Sequence, residues 1–264
     1  MGRLSDALER QQNEREIKAK MLQPAPSIRQ PTSGIQHNFD PKLLVCSAPG
    51  SIEAENFKIL KGQILFTKDG TKPRTIMVTS ALPNEGKTFT ASNLAVTLAQ
   101  GINEHALLVD CDFRRPSLHK MLGYANNEGL REYLTGEKEL PDLLIRTRID
   151  KLSLLTAGSE TPNPSELLSS SMMEEVFDEL KTHYKDRYII IDTAPSHVVS
   201  EVNILANYVD AVIFVIMAGK TPREIIKECL ENIGKDKVLG IVFNGYDKTG
   251  KTYDKYYKRY YDGK

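Results

Sequence analysis

Residues 75–88 read TIMVTSALPNEGKT, and this stretch decides the fold. Residues 75–79 form a run of apolar and β-branched side chains, which is typical of a buried strand. The loop that follows ends in Gly86-Lys87-Thr88, and the residues from Lys87 to about Ala99 have the pattern of a helix. A strand, a loop and a helix that opens with Lys-Thr are the parts of a phosphate-binding loop.

The loop predicts a site for the phosphates of a nucleotide. Its backbone N–H groups and the helix N-terminus attract an anion, Lys87 adds a charge from what we expect to be a solvent-facing loop, and the Thr88 hydroxyl can ligate Mg²⁺. The first position is Ala81, where the general pattern has glycine. The alternative is a strand-to-helix turn that only happens to read Gly-Lys-Thr. The residues that we expect to bind the nucleotide are Ala81, Pro83, Asn84, Glu85, Gly86, Lys87, Thr88 and Phe89.

The rest of the chain alternates between strand and helix patterns. The strands are apolar without alternation, as are the strands of a sheet that is covered on both faces. Strands that alternate with helices predict an α/β protein with a doubly wound, mostly parallel sheet. The further strands are predicted at 106–109, 152–155, 188–191, 211–216 and 238–243, and the helices at 51–66 and 165–183 and from Glu201 and Pro222.

Acidic residues follow two of these strands. Asp110 and Asp112 follow one strand, with Arg114 two residues further on, and Asp192 follows another. Because ligands of a doubly wound sheet bind outside the carboxyl ends of its strands, we expect the three carboxylates to converge on the phosphate loop. Asp192 suits a direct or water-mediated contact with Mg²⁺, and its alternative role is to cap the next segment. Asp110 or Asp112 suits a base near an attacking hydroxyl.

Three motifs together resemble the ATP site of the bacterial tyrosine kinases, a family similar to the MinD and ParA group of P-loop ATPases. The motifs are the loop at 81–88, an aliphatic-DxDxR element at 107–114 and an aliphatic-DxxP element at 189–195. Two further stretches, TPNPSELLSS at 161–170 and LGIVFNG at 239–245, also resemble motifs of this family. The resemblance covers roughly residues 42–264.

The resemblance implies an enzyme that transfers phosphate from Mg-ATP to protein tyrosine. It implies that Asp110 takes the proton of the tyrosine hydroxyl and that Asn244 contacts the nucleotide. The implied catalytic residues are Asp110, Asp112, Lys87 and Arg114, and the implied metal-binding residues are Thr88, Asp112 and Asp192.

The C-terminal residues 253–264 read YDKYYKRYYDGK and contain no aliphatic side chain. This composition is not that of a buried core, and the cluster resembles the autophosphorylated tail of the kinase family. Basic residues interleaved with aromatic ones also suit stacking on single-stranded nucleic acid or adhesion to anionic lipid, and these are the alternatives. The tyrosines that we expect to be phosphorylated are Tyr253, Tyr256, Tyr257, Tyr260 and Tyr261.

The organisation that we expect is a helix at 1–22, a linker at 23–41, a kinase domain at 42–248 and a tail at 249–264. Within the predicted helix at 51–66, Glu55, Lys58 and Lys61 occupy the positions of the family's ExxRxxR motif, which is associated with ring-like self-assembly. Because lysine lacks the bidentate fork of arginine, we expect weaker assembly through this helix. An ordinary solvated helix face is the alternative.

Composition excludes several classes of function. The 35 basic and 35 acidic residues give a formal net charge of zero, so a global attraction to nucleic acid is not expected. The three cysteines are widely spaced, which predicts neither a disulfide framework nor a zinc site. No apolar run reaches the ~20 residues that span a bilayer, and the N-terminus lacks a secretory signal. We therefore expect a cytoplasmic protein that a partner recruits to the inner face of the membrane.

The resemblance further implies a role in exopolysaccharide or capsule synthesis and export. The implied partners are copies of the same chain, which associate through the tail and the helix at 51–66, a membrane protein that governs polysaccharide chain length, and protein substrates such as sugar-nucleotide enzymes. A MinD- or ParA-like positioning ATPase is the alternative, but where that group has a signature lysine this chain has Leu82. A nucleotide-gated scaffold is a second alternative, which the full set of carboxylates disfavours.

Overall fold

The computed structural model describes residues 39–67, 70 and 72–246, and within them a seven-stranded sheet forms the centre of the fold. The strands lie in the order β3-β4-β2-β5-β1-β6-β7. All neighbouring pairs are parallel except β3 and β4, which confirms the predicted mostly parallel sheet. The strands are β1 (Thr75–Ser80), β2 (His105–Asp110), β3 (Ile145–Arg146), β4 (Leu152–Leu155), β5 (Arg187–Asp192), β6 (Ala211–Met217) and β7 (Val238–Asn244).

Helices cover both faces of this sheet and give it two hydrophobic cores. Ile191 of β5 belongs to one core, with Phe177, whereas Ile190 belongs to the other, with Phe57, because successive side chains of a strand point to opposite faces. The helices are α1 (Leu44–Ser47), α2 (Ile52–Leu65), α3 (Lys87–Ala99), α4 (Leu118–Leu122), α5 (Leu130–Leu134), α6 (Leu140–Leu143), α7 (Pro164–Leu168), α8 (Ser171–His183), α9 (Glu201–Tyr208) and α10 (Arg223–Ile233), with a 3₁₀ turn at Lys235–Lys237.

Strand β1 places the phosphate loop at the middle of the sheet. All six of its residues are buried, and it pairs with β5 on one side and β6 on the other. The loop after β1 therefore opens between the carboxyl ends of two neighbouring strands. This is the position at which an open α/β sheet binds its ligands.

The prediction of one continuous helix at 165–183 is wrong. The structure has two helices, α7 and α8, that are separated at residues 169–170. The Ser169 hydroxyl donates to the Ser165 carbonyl and the Ser170 hydroxyl donates to the Leu167 carbonyl. Such side-chain bonds compete with the backbone bonds of a helix. Helices α1 and α4 to α6 were not predicted, because four or five residues are too short to show a helical period, and the two residues of β3 are too few to show an apolar run.

Strand β7 departs from the prediction that every strand is covered on both faces. It lies at the edge of the sheet, and Ile241 and Phe243 are more than half exposed, whereas Leu239 and Val242 pack against one of the cores. One face of the later part of this strand, at Ile241 and Phe243, is therefore open. This exposure could not be predicted from residues 238–244, because both faces of the strand carry apolar side chains.

Several predictions fall outside the described residues. The helix at 1–22, the linker as far as residue 38 and the five tail tyrosines all lie there. Among the residues that the structure describes, no helix is both long enough and apolar enough to span a bilayer.

Candidate active site

The phosphate loop depends on a glycine at position 86. Gly86 has a φ of 97° and directly precedes α3, so its backbone lies in the left-handed region that favours glycine. A Cβ at this position would overlap Nδ2 of Asn244. The same Nδ2 donates a hydrogen bond of 2.8 Å to the carbonyl oxygen of Glu85. The loop is therefore fastened to the end of β7 through Asn244, and only glycine leaves room for that contact.

Glu85 shapes the loop with its side chain. The buried carboxylate accepts hydrogen bonds from the N–H of Leu82 (2.6 Å), from the N–H of Met217 (3.2 Å) and from the Thr221 hydroxyl. These contacts connect the loop to the end of β6. The Glu85 side chain and carbonyl oxygen are thus engaged within the protein, and its backbone N–H is the group that can face a phosphate.

The other predicted loop residues differ in what they offer to a nucleotide. Ala81 is fully buried, whereas Pro83 and Asn84 are exposed. The Phe89 ring packs edge-on against Phe57, with 5.6 Å between the ring centroids. The Phe89 ring is therefore partly engaged in the core on that face of the sheet.

Lys87 and Thr88 open helix α3 beside the carboxylates. The loop faces solvent at Pro83 and Asn84, as predicted, but the Lys87 side chain itself is only 8% exposed. The Thr88 hydroxyl donates a hydrogen bond of 2.6 Å to Oδ2 of Asp192, and it lies 3.0 Å from the Ser117 hydroxyl. The phosphate loop and the carboxyl end of β5 therefore meet in direct contact.

The predicted convergence of carboxylates is confirmed. Asp110 and Asp192 lie opposite each other on the adjacent strands β2 and β5, and both are fully buried. Burial, reinforced by the charge of Asp192, raises the pKa of Asp110 well above its usual range. Burial also raises the pKa of Asp192 to about 7, although the Thr88 hydrogen bond and the Lys87 charge lower it. The charge of Asp112 raises the pKa of both carboxyls.

Asp110 and Asp112 are held in different ways. Asp110 accepts three backbone hydrogen bonds, from Asp112, Ser117 and Leu118, each at 3.1 Å. Asp112 accepts one from the N–H of Arg115 at 3.0 Å and is slightly exposed. Asp110 therefore organises the turn that leads into α4, whereas Asp112 lies nearer to solvent.

The donor set fits Mg²⁺. Oδ1 of Asp192 is buried and has no hydrogen-bond partner among the described residues, and buried polar atoms without partners are rare in folded proteins. Within residues 39–67, 70 and 72–246, no three acidic, imidazole or thiol groups form an all-protein metal site. Mg²⁺ does not need one, because it commonly binds through one or two carboxylates together with the phosphates of a substrate. Thr88 and Asp192 are suited to that arrangement.

Arg114 is held by residues that the sequence analysis missed. Its Nη2 lies 3.0 Å from Oε1 of Glu201 and 3.2 Å from the Ser165 hydroxyl. Ser165 lies in a stretch that resembles a family motif, but nothing in the sequence connects Arg114 to a glutamate 87 residues away. The Ser117 hydroxyl beside Thr88 was also missed.

The predicted assembly residues lie on helix α2. The Lys58 ammonium pairs with the Glu55 carboxylate at 2.8 Å, three residues apart on the same helix. Lys61 lies one turn further on and is partly buried. This helix exposes Ile59, which is 54% accessible. A role of α2 in assembly stays a prediction.

Comparison with known proteins adds to this geometry. A family model described as an AAA domain matches residues 74–237. Tyrosine-protein kinase YwqD of Bacillus subtilis (strain 168) is 34% identical over 205 residues, which cover 77% of this chain and 85% of YwqD. Succinoglycan biosynthesis transport protein ExoP of Rhizobium meliloti (strain 1021) is 33% identical over 209 residues, which cover 77% of this chain and 26% of ExoP.

Solved structures share the fold. The crystal structure of the chimerical protein CapA2B2 superposes with a TM-score of 0.73 at 31% identity, over 89% of this chain and 100% of that one. The septum site-determining protein MinD of Pyrococcus horikoshii OT3, complexed with Mg-ADP, superposes with a TM-score of 0.54 at 22% identity, over 67% of this chain and 72% of MinD. The second likeness shows the fold alone, and it confirms the predicted MinD/ParA-like P-loop architecture.

The glycine at position 86 gives a direct test of the loop geometry. Gly86→Ala should lower the free energy of unfolding by roughly 1–2 kcal/mol for the left-handed backbone and by a further ~0.5–1.5 kcal/mol because Asn244 must move away and lose its hydrogen bond to Glu85. It should also weaken nucleotide binding. Urea denaturation and a nucleotide titration measure the two effects.

Gly136→Ala is the matched control for this substitution. Gly136 has a φ of 72°, and a Cβ added there would have no heavy atom within 4 Å. This variant should therefore show the backbone penalty alone and bind nucleotide normally. Equal losses of stability in both variants, with nucleotide binding unchanged in both, would contradict the contact between the loop and Asn244.

Proposed function

The chain belongs to the bacterial tyrosine-protein kinases, and we propose that it uses Mg-ATP to phosphorylate the tyrosines of its own C-terminal tail. Membership of the family makes the chain a protein-tyrosine kinase. The proposal that Mg-ATP is the phosphate donor rests on the hydrogen bond from Thr88 to Asp192. This bond brings the phosphate loop into contact with a buried group of carboxylates. Such a group is what a Mg-nucleotide site requires.

The proposed nucleotide site assigns a task to each of these residues. The N–H groups at the start of α3 bind the phosphates, together with the Lys87 ammonium. Thr88, Asp112 and Asp192 hold Mg²⁺, and Asn244 lies on the nucleotide side of the loop. When bound, Mg²⁺ neutralises charge on the β- and γ-phosphates. The buried oxygen of Asp192 that lacks a hydrogen bond supports this assignment.

We assign the role of general base to Asp110. A carboxylate has about four lone-pair positions, and the backbone bonds to Asp110 occupy three of them. One position is therefore left to accept the proton of the tyrosine hydroxyl. The three backbone bonds also hold the carboxylate in a fixed orientation. Asp112, which is slightly exposed, is the alternative base.

The position at which the chain leaves the described fold favours the tail as substrate. The described residues end at Tyr246, two residues after the end of β7. Asn244, the last residue of β7, contacts the phosphate loop. The described residues therefore end on the same edge of the sheet as the proposed active site, and Tyr253 follows seven positions after Tyr246 in the sequence.

The charge of the tail supports a role in assembly. Five basic and two acidic residues lie from Lys251 to the end of the chain, and each phosphate adds about −1.5 to −2 charges. An unmodified tail is attracted to the acidic site of a neighbouring chain, whereas a phosphorylated tail is repelled. Assembly through tail insertion and helix α2 is therefore favoured before autophosphorylation. Because lysine lacks the bidentate fork of arginine, and Lys58 pairs with Glu55 on its own helix, the proposed contribution of α2 is weaker than that of an arginine motif.

The cellular setting follows from the relatives. ExoP is named for succinoglycan biosynthesis and transport, which supports a role of this kinase in polysaccharide synthesis and export. A membrane protein that governs polysaccharide chain length is the proposed partner, and it recruits the cytoplasmic kinase to the inner face of the membrane. Sugar-nucleotide enzymes are proposed as further substrates, and nucleic acid is not.

A positioning ATPase of the MinD or ParA type is less well supported. The position of that group's signature lysine is taken by Leu82, which packs against the core on the α8 and α9 side of the sheet. An apolar residue in this place cannot reach the phosphates of a partner's nucleotide. A scaffold that binds nucleotide without transfer has no need of three converging carboxylates.

Lys87→Met tests the phosphate site. The substitution removes the ammonium but keeps an unbranched side chain that can fill the same largely covered space, so the melting temperature should stay near that of the wild type. Phosphotyrosine should fall by about 10²-fold or more, as expected when a group that stabilises the transferred phosphate is removed. Incubation with Mg-ATP followed by mapping of phosphate by mass spectrometry measures this loss and locates the phosphate in the wild type.

Lys235→Met is the control for the same experiment. Lys235 is exposed and pairs only with Glu231 among the contacts that the structure describes, so this variant should carry wild-type phosphotyrosine on the tail. Wild-type phosphorylation in Lys87→Met would rule out the assigned site. Phosphate on tyrosines outside 253–261 alone would rule out the tail as the substrate.

Asp110→Asn and Asp112→Asn separate the base from the metal ligand. Asp110→Asn should lower the turnover number by about 10²- to 10⁴-fold, because a neutral amide cannot accept the proton, and it should leave the affinity for Mg-ATP nearly unchanged. Asp112→Asn should weaken Mg-ATP binding. Single-turnover transfer and a nucleotide titration measure the two effects, and the reverse pattern would show that Asp112 is the base.

A further inference from the structure

The phosphate loop contains an acidic residue, Glu85, directly before Gly86 and Lys87. A carboxylate is unfavourable in a loop that binds phosphate, because the two negative charges repel each other. Burial adds to this cost, since Glu85 is only 3% exposed and a buried charge needs compensating partners. The contacts of Glu85 therefore decide what this carboxylate contributes to the loop.

The two oxygens of the Glu85 carboxylate contact different segments of the chain. Oε2 accepts a hydrogen bond of 2.6 Å from the N–H of Leu82, which closes the loop on itself. Oε1 accepts one of 3.2 Å from the N–H of Met217 and another from the Thr221 hydroxyl. The carboxylate thus joins the phosphate loop to the connection between β6 and α10.

The connection between β6 and α10 is itself held in place. The N–H of Lys220 donates to the carbonyl of Met217 at 3.2 Å, which closes a turn at the end of β6. The N–H of Ala218 donates to the carbonyl of Asn244 at 2.8 Å, which ties this turn to the end of β7. Thr221 lies two residues before the start of α10. The groups that Glu85 contacts are therefore fixed by two strands and a helix.

These contacts determine which backbone groups of the loop can bind an anion. The N–H of Leu82 is bonded to the Glu85 carboxylate, and the carbonyl of Glu85 is bonded to Asn244. Helix α3 begins at Lys87, and the first N–H groups of a helix have no partner within the helix. Because these groups follow Glu85 closely in the chain, fixing Glu85 restricts where they point.

We propose that Glu85 is a positioning residue for the nucleotide, and that Thr221 supports it. The carboxylate holds the loop in the shape in which its backbone N–H groups meet the phosphates. A loop that is already ordered loses less conformational entropy on binding, which raises affinity. The proposal rests on the nucleotide site proposed above, and it adds the connection between β6 and α10 to the parts of the fold that set nucleotide affinity.

The chain contains a matched control in Glu132, which is 4% exposed. Its carboxylate accepts hydrogen bonds from the N–H of Gly129 (2.6 Å), the N–H of Ser159 (3.2 Å) and the Ser159 hydroxyl (2.6 Å), and it also contacts Arg131. Like Glu85, it thus joins a residue three positions earlier to a distant segment. Ser159 follows β4, which is three strands from β1, or roughly 14 Å at the usual strand spacing. Glu132 therefore has a similar structural role away from the phosphate loop.

Glu85→Gln tests the proposal through the sign of its effect. The substitution removes a negative charge near the phosphates, which alone would strengthen binding, but it also replaces one acceptor oxygen with a donor group. If positioning dominates, the Kd for Mg-ADP in a calorimetric titration of the full chain should rise about tenfold, or ~1.4 kcal/mol. Glu132→Gln should lose similar thermal stability and keep the wild-type Kd. The kcat of Glu85→Gln at saturating Mg-ATP should stay near the wild-type value, because the loop holds the phosphates before and during transfer.

A second pair of variants tests the support that Thr221 provides. Thr221→Val removes the hydroxyl but keeps the shape of the side chain, so the Kd for Mg-ADP should rise severalfold. Thr221→Ser keeps the hydroxyl and should bind Mg-ADP like the wild type. These variants leave the Glu85 carboxylate in place, and they decide the question if Glu85→Gln does not fold.

The possible results separate this proposal from the nucleotide site on which it rests. Tighter binding of Mg-ADP by Glu85→Gln would show that charge repulsion dominates, and it would overturn the positioning role. Unchanged binding in Glu85→Gln, or an equal loss of affinity in Glu132→Gln, would also overturn it, because the contacts of Glu85 would then serve stability alone. If the wild type does not bind Mg-ADP, the proposed nucleotide site itself is wrong.

Discussion

The hydrogen bond between Thr88 and Asp192 is the contact on which the candidate site depends. Thr88 lies in the first turn of α3, after the loop that follows β1, and Asp192 is the last residue of the neighbouring strand β5. Strands β1 and β5 pair in parallel, with Val78 opposite Asp192. The parallel register therefore delivers a hydroxyl and a carboxylate to the same edge of the sheet, and the remaining groups of the site assemble around them.

The buried carboxylates at this edge of the sheet destabilise the fold, but they also provide oxygen ligands for a cation. Burying charge without a partner destabilises a fold, and the raised pKa values of Asp110 and Asp192 report that penalty. Three backbone N–H groups stabilise Asp110, and Thr88 stabilises one oxygen of Asp192. The other oxygen of Asp192 has no partner in the described residues. Groups whose pKa is shifted in this way are concentrated at functional sites, and the unpaired oxygen is where we propose that Mg²⁺ binds.

The sequence predicted the centre of the fold because its signals are local. A continuous apolar run before a Gly-Lys-Thr loop identified β1 and α3, and parallel strands that end in aspartate implied that Asp110 and Asp192 would meet. Contacts between distant segments could not be predicted, such as the pair of Arg114 with Glu201, because they depend on where α9 packs on the sheet. The burial of Lys87 could not be predicted for the same reason. It depends on segments that are distant in the sequence but close in the fold.

The most direct test of the proposed metal site is the effect of Mg²⁺ on ATP binding in the wild type and in Asp192→Asn. Calorimetric titration with ATP, with and without Mg²⁺, gives both affinities for each protein. If Asp192 and Thr88 hold the metal, Mg²⁺ should strengthen ATP binding to the wild type by about tenfold or more, which is ~1.4 kcal/mol, and most of that gain should disappear in Asp192→Asn. An equal gain in both proteins would contradict the account, because the carboxylate on which the site is built would then contribute nothing to the metal.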